Sequence, residues 1–198
     1  MKVKKDWFES VAKKNFEFVF NNLTIENAIP QRILQIGVYT GDATKWISNN
    51  ILSKSKTSEL HDVDTWEGSP EPEHQILDWQ EVEKLYDETT QQLEHRSRIF
   101  KHKTTSDSFF KNTNENEKYD FIYVDGHHFA EYVARDAFNS FQHLNQNGIL
   151  AFDDYGYGQH LKPEKKPAAA IDFFLMAYQN QYSIIVSNYQ IWIQKNEI

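Results

Sequence analysis

The sequence predicts an α/β fold: a Rossmann-like, doubly wound, mostly parallel seven-stranded sheet with helices on both faces and a C-terminal antiparallel hairpin. Three observations predict it. Short apolar runs alternate with stretches of helical period along most of the chain, an order that gives parallel strands joined by helical crossovers. The first apolar run ends in Gly37-Val38-Tyr39-Thr40-Gly41 and leads directly into a helical segment. The last two runs, 182–187 and 189–194, are separated only by Asn188, the pattern of a tight hairpin.

Residues 6–21 place Trp7, Phe8, Val11, Phe16, Val19 and Phe20 close to helical spacing. They belong to an N-terminal helical extension, 1–30, of a single domain spanning 1–198. The first strand runs through 32–37, and 42–52 reads as a helix. Residues 59–64 form a second strand ending in acid. The segment 66–74 holds two prolines and a glycine and reads as a loop. Helical character returns over 78–93. A third strand is expected at 98–103, followed by a polar connector at 111–118. The run 119–125 (YDFIYVD) is the strongest strand. A helix over 132–144, a strand over 148–153, a charged loop over 162–167 and a helix over 168–178 complete the order.

The chain of 198 residues is long enough to bury a substantial core. A net charge of −8 argues against nucleic acid, which needs a basic surface. The absence of cysteine removes disulfides, thiolate zinc sites and cysteine nucleophiles. No apolar run approaches the roughly 20 residues of a membrane span, and the start lacks the apolar stretch of a signal peptide. A cytoplasmic protein is expected, with no membrane partner. Exposed aromatics near the N-terminus would allow a homodimer.

Sheets of this type bind ligands beyond the carboxyl ends of their strands, so the residues found there are the site candidates. The loop Gly37 to Gly41 would admit a ligand close to its backbone, at the free N–H groups of a helix start. It is equally readable as a plain strand-to-helix turn, because the third glycine of a dinucleotide fingerprint is missing at Thr44. Asp64 ends the second strand, where an acid accepts hydrogen bonds from ribose hydroxyls; Asp62 is a weaker rival. The fourth strand delivers Asp125-Gly126-His127-His128, and the fifth delivers Asp153-Asp154. Adjacent carboxylates repel unless a cation or proton relieves them. Asp125, Asp153 and Asp154 together would make an oxygen-rich site suited to Mg²⁺ or Mn²⁺. The alternative leaves Asp153 as a helix cap or cofactor contact and Asp154 in solvent.

Four segments, RILQIGVYTGDAT, DVDTWEGS, YDFIYVDGHHFAEYVARD and NGILAFDDY, resemble the class I S-adenosylmethionine-dependent methyltransferases. The similarity is to their small-molecule O-methyltransferase branch, with macrocin-type and catechol-type relatives, and runs from about residue 32 to 194. The resemblance implies that Gly37, Tyr39 and Gly41 hold the methionine part of the cofactor, with Gln35 just before them. It implies that Asp64, with Thr65 and Trp66 beside it, meets the ribose. Ser106, Asp107 and Ser108 would flank the adenine. The family's Asp-Gly-x-His pattern, with a later Val and Asp, falls on Asp125, Gly126, His128, Val133 and Asp136. In metal-dependent relatives the cation positions correspond to Asp125, Asp153 and Asp154. His128 would take the general-base role, with His127 as fallback.

The reaction so implied moves a methyl group from S-adenosylmethionine to a hydroxyl of a small acceptor of sugar or natural-product type, with divalent-metal assistance. Trp66, Tyr155 and Tyr157 would line the acceptor pocket or pack as ordinary aromatics. Gln35 departs from the family, which carries Glu or Asp there. That departure keeps open a catalytically inactive cofactor- or partner-binding protein. A nucleotide-dependent oxidoreductase is disfavoured by the missing third glycine and by the carboxylate cluster at the fifth strand.

Overall fold

A computed structural model describes residues 7–22, 29–72 and 74–197. The lysines before Trp7 and most of the linker to Pro30 lie outside these residues. One sheet holds the strands β1 (Arg32–Ile36), β2 (Glu59–Asp64), β3 (Ile99–Lys103), β4 (Tyr119–Val124), β5 (Leu144–Phe152), β6 (Tyr182–Ser187) and β7 (Ile191–Lys195). Their order is β3-β2-β1-β4-β5-β7-β6. Strands β1 to β5 pair in parallel, and β7 is antiparallel to both β5 and β6. The expected hairpin is therefore present, with its second strand inserted inside the sheet and β6 at the edge. Among the described residues, no helix is long and apolar enough to cross a membrane.

Helices α1 (Lys13–Asn22), α2 (Asp42–Asn50), α3 (Trp79–Gln91), α4 (Ser106–Asn112), α5 (Ala130–Gln142) and α6 (Pro167–Ala177) surround the sheet. The strong apolar run of β4 follows from its two covered faces. Ile122 and Val124 join one core with Phe109, Phe141 and Phe174. Phe121 and Tyr123 point the other way, into a core with Phe8, Phe16, Trp46 and Trp192. Phe16 is the hub of that second core, with its ring centroid 4.9 Å from Trp192 and 5.0 Å from Tyr123. The N-terminal segment is thus part of the core, although Phe18 stays 54% exposed.

Several elements differ from the sequence reading: β5 begins at Leu144 rather than 148, so the helix before it ends at Gln142 rather than 144, and three further differences have a local reason. Helix α3 starts one residue late because Asp78 is its N-cap, accepting from the backbone N–H groups of Gln80 and Glu81. Helix α4 was not anticipated. Thr105 caps it by accepting from Ser108 N–H, and it buries Phe109 and Phe110. The hairpin turn takes in residues 188–190, since the Asn188 side chain accepts from Gln190 N–H at 2.9 Å.

Outside the cavity region, His61 Nδ1 and His102 Nε2 meet at 3.0 Å across β2 and β3. Burial lowers the pKa of both rings, and the neighbouring ring's charge lowers His102 further. The unfolded chain therefore takes up these protons first, so stability is full above the ordinary value of 6.5 and is lost as pH falls below it. We expect the denaturation midpoint of the His102→Gln variant to fall less than that of the wild type between pH 8 and pH 5.5. An equal fall in both would contradict the assignment.

Candidate active site

The strand order reverses at β1, with β2 on one side and β4 on the other. The ends of these strands and of β5 open into a cavity of about 700 Å³. Gly37 makes the junction possible. Its φ is +80°, and a Cβ there would lie 1.9 Å from the Asp125 carbonyl oxygen. The loop then passes through Tyr39, also at positive φ (54°), to Gly41, which precedes α2 at φ +85°. Thr44 occupies the place of a third glycine because its hydroxyl is needed there: it reaches Asp62 at 2.8 Å and Gln35 at 3.3 Å.

Asp64 is the organiser of this end. Its Oδ2 accepts from the N–H groups of Val38 (2.8 Å) and Tyr39 (3.1 Å), and its Oδ1 accepts from Trp66 N–H (2.8 Å). A carboxylate offers about four lone-pair sites, so one is left on Oδ1. Thr65 lines the cavity beside it. Trp66 does not; its ring is buried against Tyr86 and donates to the Tyr39 carbonyl. Asp62, the rival acid, is buried against Tyr86 Oη at 2.9 Å.

Gln35 also stays out of the cavity lining. It is buried, and its Nε2 donates to the Gly37 carbonyl at 3.0 Å. It pairs in register with Asp62 on the neighbouring strand. Burial raises Asp62 to about 7, against the lowering effect of its bonds to Thr44 and Tyr86. A neutral amide beside this buried acid avoids a second charge. We expect Gln35→Glu to cost about 3 kcal/mol at pH 8, where Asp62 is ionised, and less at pH 6. Urea denaturation at the two pH values checks this, and equal stability of variant and wild type at pH 8 would contradict it.

Of the three residues expected beside an adenine, Ser106 lines the cavity, with Thr104 and Thr105 before it. Asp107 instead pairs with Arg135 at 2.9 Å, and Ser108 is exposed on the first turn of α4. Asp136 reaches the cavity from α5 and is buried. Burial raises it to about 7, partly offset by Ser106.

At the other end, Asp125, Gly126, His127, His128, Asp153 and Asp154 all line the cavity. Beyond the end of β5 the two adjacent acids turn to different partners. Asp153 Oδ1 accepts from Tyr123 Oη at 2.7 Å and from Gln190 Nε2. Asp154 faces His128 Nε2 at 2.8 Å and accepts from Tyr189 Oη at 3.2 Å. Burial and the charges of Asp153 and Asp154 raise the Asp125 pKa well above the ordinary carboxylate value.

The contacts of the two histidines bear on the general-base expectation. His128 lies between two carboxylates, Glu71 Oε2 at 2.6 Å from Nδ1 and Asp154 at Nε2. Burial would lower its pKa, but Asp154 and Glu71 outweigh burial and raise it to about 11. Two carboxylates so placed favour the charged ring. His127 Nδ1 accepts from Phe129 N–H at 3.0 Å, which leaves its proton on the buried Nε2.

Sequence reading missed Glu71, Gln190 and Tyr189. Glu71 lies in the loop after β2, is 3% exposed, and also accepts from His128 N–H at 3.3 Å. Burial would raise its pKa, but His128 holds it down to about 2. No spacing rule ties position 71 to 128. An acid in a Pro- and Gly-rich loop at a strand end was the only available signal. Tyr157 lines the cavity against His128, with centroids 4.3 Å apart, whereas Tyr155 turns away to Asp172.

A model of the family described as "Methyltransferase domain" matches residues 34–155. No curated protein sequence matches the chain. Several solved structures share its fold. An O-methyltransferase from Bacillus cereus in complex with SAH superposes with a TM-score of 0.63 at 12% identity, covering 99% of this chain and 93% of its own. TomG from Streptomyces achromogenes, an O-methyltransferase of tomaymycin synthesis in complex with SAM, gives 0.64 at 12%, covering 100% and 93%. The O-methyltransferase NovP gives 0.63 at 16%, covering 93% and 79%. Identities this low speak to the shared fold alone.

Proposed function

Because the chain belongs to the methyltransferase-domain family, we propose that it transfers a methyl group from S-adenosylmethionine to a hydroxyl oxygen of a small acceptor. The observation that carries this reading is the division of one cavity into two chemically distinct ends. The glycine loop, Asp64 and Ser106 form an end rich in backbone and hydroxyl groups. Asp125, His127, His128 and Asp154 form an end rich in charge, flanked by Tyr157 and Tyr189.

In this reading the cofactor lies along the first end. The backbone of Gly37 to Tyr39 borders its methionine part, the remaining lone pair of Asp64 takes a ribose hydroxyl, and Thr105 and Ser106 border the base. The sulfonium carries the activated methyl group, so the protein's task is alignment of oxygen, carbon and sulfur. His127 and His128 border the acceptor. Tyr157 and Trp79 flank it as apolar walls.

The carboxylates Asp125 and Asp154 fit a divalent cation, because Asp125 sits among like charges that a cation would relieve. When bound, such a cation supplies Lewis acidity that lowers the pKa of the acceptor hydroxyl. The proton of the acceptor hydroxyl passes to a solvent water.

A product assay tests the reading. The protein is incubated with S-adenosylmethionine and, in turn, a catechol, a simple phenol, a free hexose and a nucleotide sugar. S-adenosylhomocysteine is then measured by mass spectrometry. Acceptor-dependent product that falls in EDTA is expected with one of these classes. No acceptor-dependent product with any of them would count against it.

A further inference from the structure

The three carboxylates named from sequence as a cation site are not the three groups that converge. The ligand-capable atoms of Asp125, His128 and Asp154 all lie within 4.8 Å of one another. Asp153 is engaged elsewhere, and the engagement is built in depth. Its Oδ1 accepts from Tyr123 and Gln190. Gln190 is itself fixed, since its Oε1 accepts from Asn15 Nδ2 at 2.6 Å and Trp192 Nε1 at 2.9 Å. That leaves the Gln190 amide N–H₂ facing Asp153. Gln190 and Trp192 are fully buried and Asn15 nearly so, so this orientation is set by the core.

His128 carries the complementary feature. Nδ1 faces the buried carboxylate of Glu71, and Nε2 faces the Asp125–Asp154 pair. A histidine that ligates a metal through one nitrogen commonly donates the other N–H to a carboxylate, which fixes the tautomer and aims the lone pair. Glu71 comes from the loop after β2, far from the other ligands in sequence, and its backbone hydrogen bond from His128 holds the two segments in register.

We propose that the cation site is Asp125, His128 and Asp154, with Glu71 as the positioning residue for His128, and that its mixed nitrogen and oxygen donors select a transition-metal cation such as Mn²⁺, Co²⁺ or Zn²⁺ over Mg²⁺. The cation takes the place of the Nε2 proton, which passes to solvent. Imidazole suits first-row transition metals, whereas Mg²⁺ favours all-oxygen ligand sets. This proposal rests on the methyltransferase reading for its biological use but not for its chemistry.

The test uses the full chain, stripped with chelator and titrated with Co²⁺ while its visible absorption is followed. S-adenosylhomocysteine binding by calorimetry serves as the folding control for every variant. One equivalent of Co²⁺ is expected to bind and to resist displacement by an equal concentration of Mg²⁺. His128→Gln and Glu71→Gln should each weaken Co²⁺ binding by about 10-fold or more, while Asp153→Asn changes it by less than about 3-fold. Electron spin-echo spectra of the Mn²⁺-loaded wild type should carry imidazole nitrogen modulation, a readout that needs no variant to fold. Absence of that modulation, or loss of Co²⁺ binding in Asp153→Asn alone, would overturn the assignment. If the wild type binds S-adenosylhomocysteine but no cation, this inference fails and the methyltransferase reading stands. If it binds cation but no S-adenosylhomocysteine, the reverse holds.

Discussion

Gly37→Ala is expected to leave the protein unfolded or without affinity for S-adenosylmethionine. The added Cβ would lie 1.9 Å from the Asp125 carbonyl oxygen and 2.7 Å from Gly126 Cα. Both are backbone atoms and cannot swing aside. Relief requires the end of β1 to move off β4, which breaks the bond from Asp125 N–H to the Ile36 carbonyl (2.8 Å) and opens the cavity floor. The left-handed φ of +80° adds a further penalty of about 1–2 kcal/mol for an L-residue. A total above about 4 kcal/mol is of the order of a whole domain's stability. Gly41→Ala is the internal comparison. Its Cβ would meet the Tyr86 ring at 3.1 Å and Thr89 Cγ2 at 3.6 Å, side-chain rather than backbone atoms and at longer range, so a smaller loss is expected. Thermal denaturation followed by circular dichroism compares the two. A Gly37→Ala midpoint within a few degrees of wild type would contradict the packing described for this junction.

Asp125→Asn is expected to move stability and cation binding in opposite directions. Burial and the neighbouring charges of Asp153 and Asp154 raise the Asp125 pKa well above 3.8. A group raised in this way favours folding while protonated, and that contribution is lost as pH climbs from its unfolded value through its folded one. The metal-free protein therefore carries the cost at pH 8 and escapes it near pH 4. A neutral amide removes that cost, and we expect a gain of about 1–3 kcal/mol at pH 8 that disappears near pH 4. The same change should greatly weaken Mn²⁺ binding, because the site loses an anionic ligand. Guanidinium denaturation at the two pH values, with a Mn²⁺ titration at pH 8, measures both effects. A variant less stable than wild type at pH 8 without metal would show that Asp125 is satisfied by the protein alone. Opposed effects of this kind are expected where a site is kept for function at a cost in stability.

The sheet was legible because its signals are local. The apolar run 121–124 of β4 follows from cover on both faces, and the glycine loop follows from a junction where Gly37 leaves no room for a Cβ. Helix α4 was hidden because its apolar content is two adjacent residues, Phe109 and Phe110, too few to show a period. The site was legible where a strand end carries its own acid, as at Asp64, Asp125 and Asp154. It was illegible where a residue acts through contacts remote in sequence. Glu71 lies 57 positions from the backbone N–H it accepts from, and Gln190 lies 37 positions from Asp153. Sequence could place Asp153 and Asp154 side by side, but not show that Tyr123 and Gln190 claim one while His128 faces the other. Gln35 was read as a weakened cofactor contact; the fold gives it Asp62 as a neighbour and no wall of the cavity.

The most direct measurement of the central claim is a calorimetric titration of the purified chain with S-adenosylmethionine, with S-adenosylhomocysteine and NAD⁺ in parallel. The account predicts saturable one-to-one binding of both methyl-cycle ligands and no heat from NAD⁺. Absence of binding by both methyl-cycle ligands, from protein shown to be folded, would contradict it.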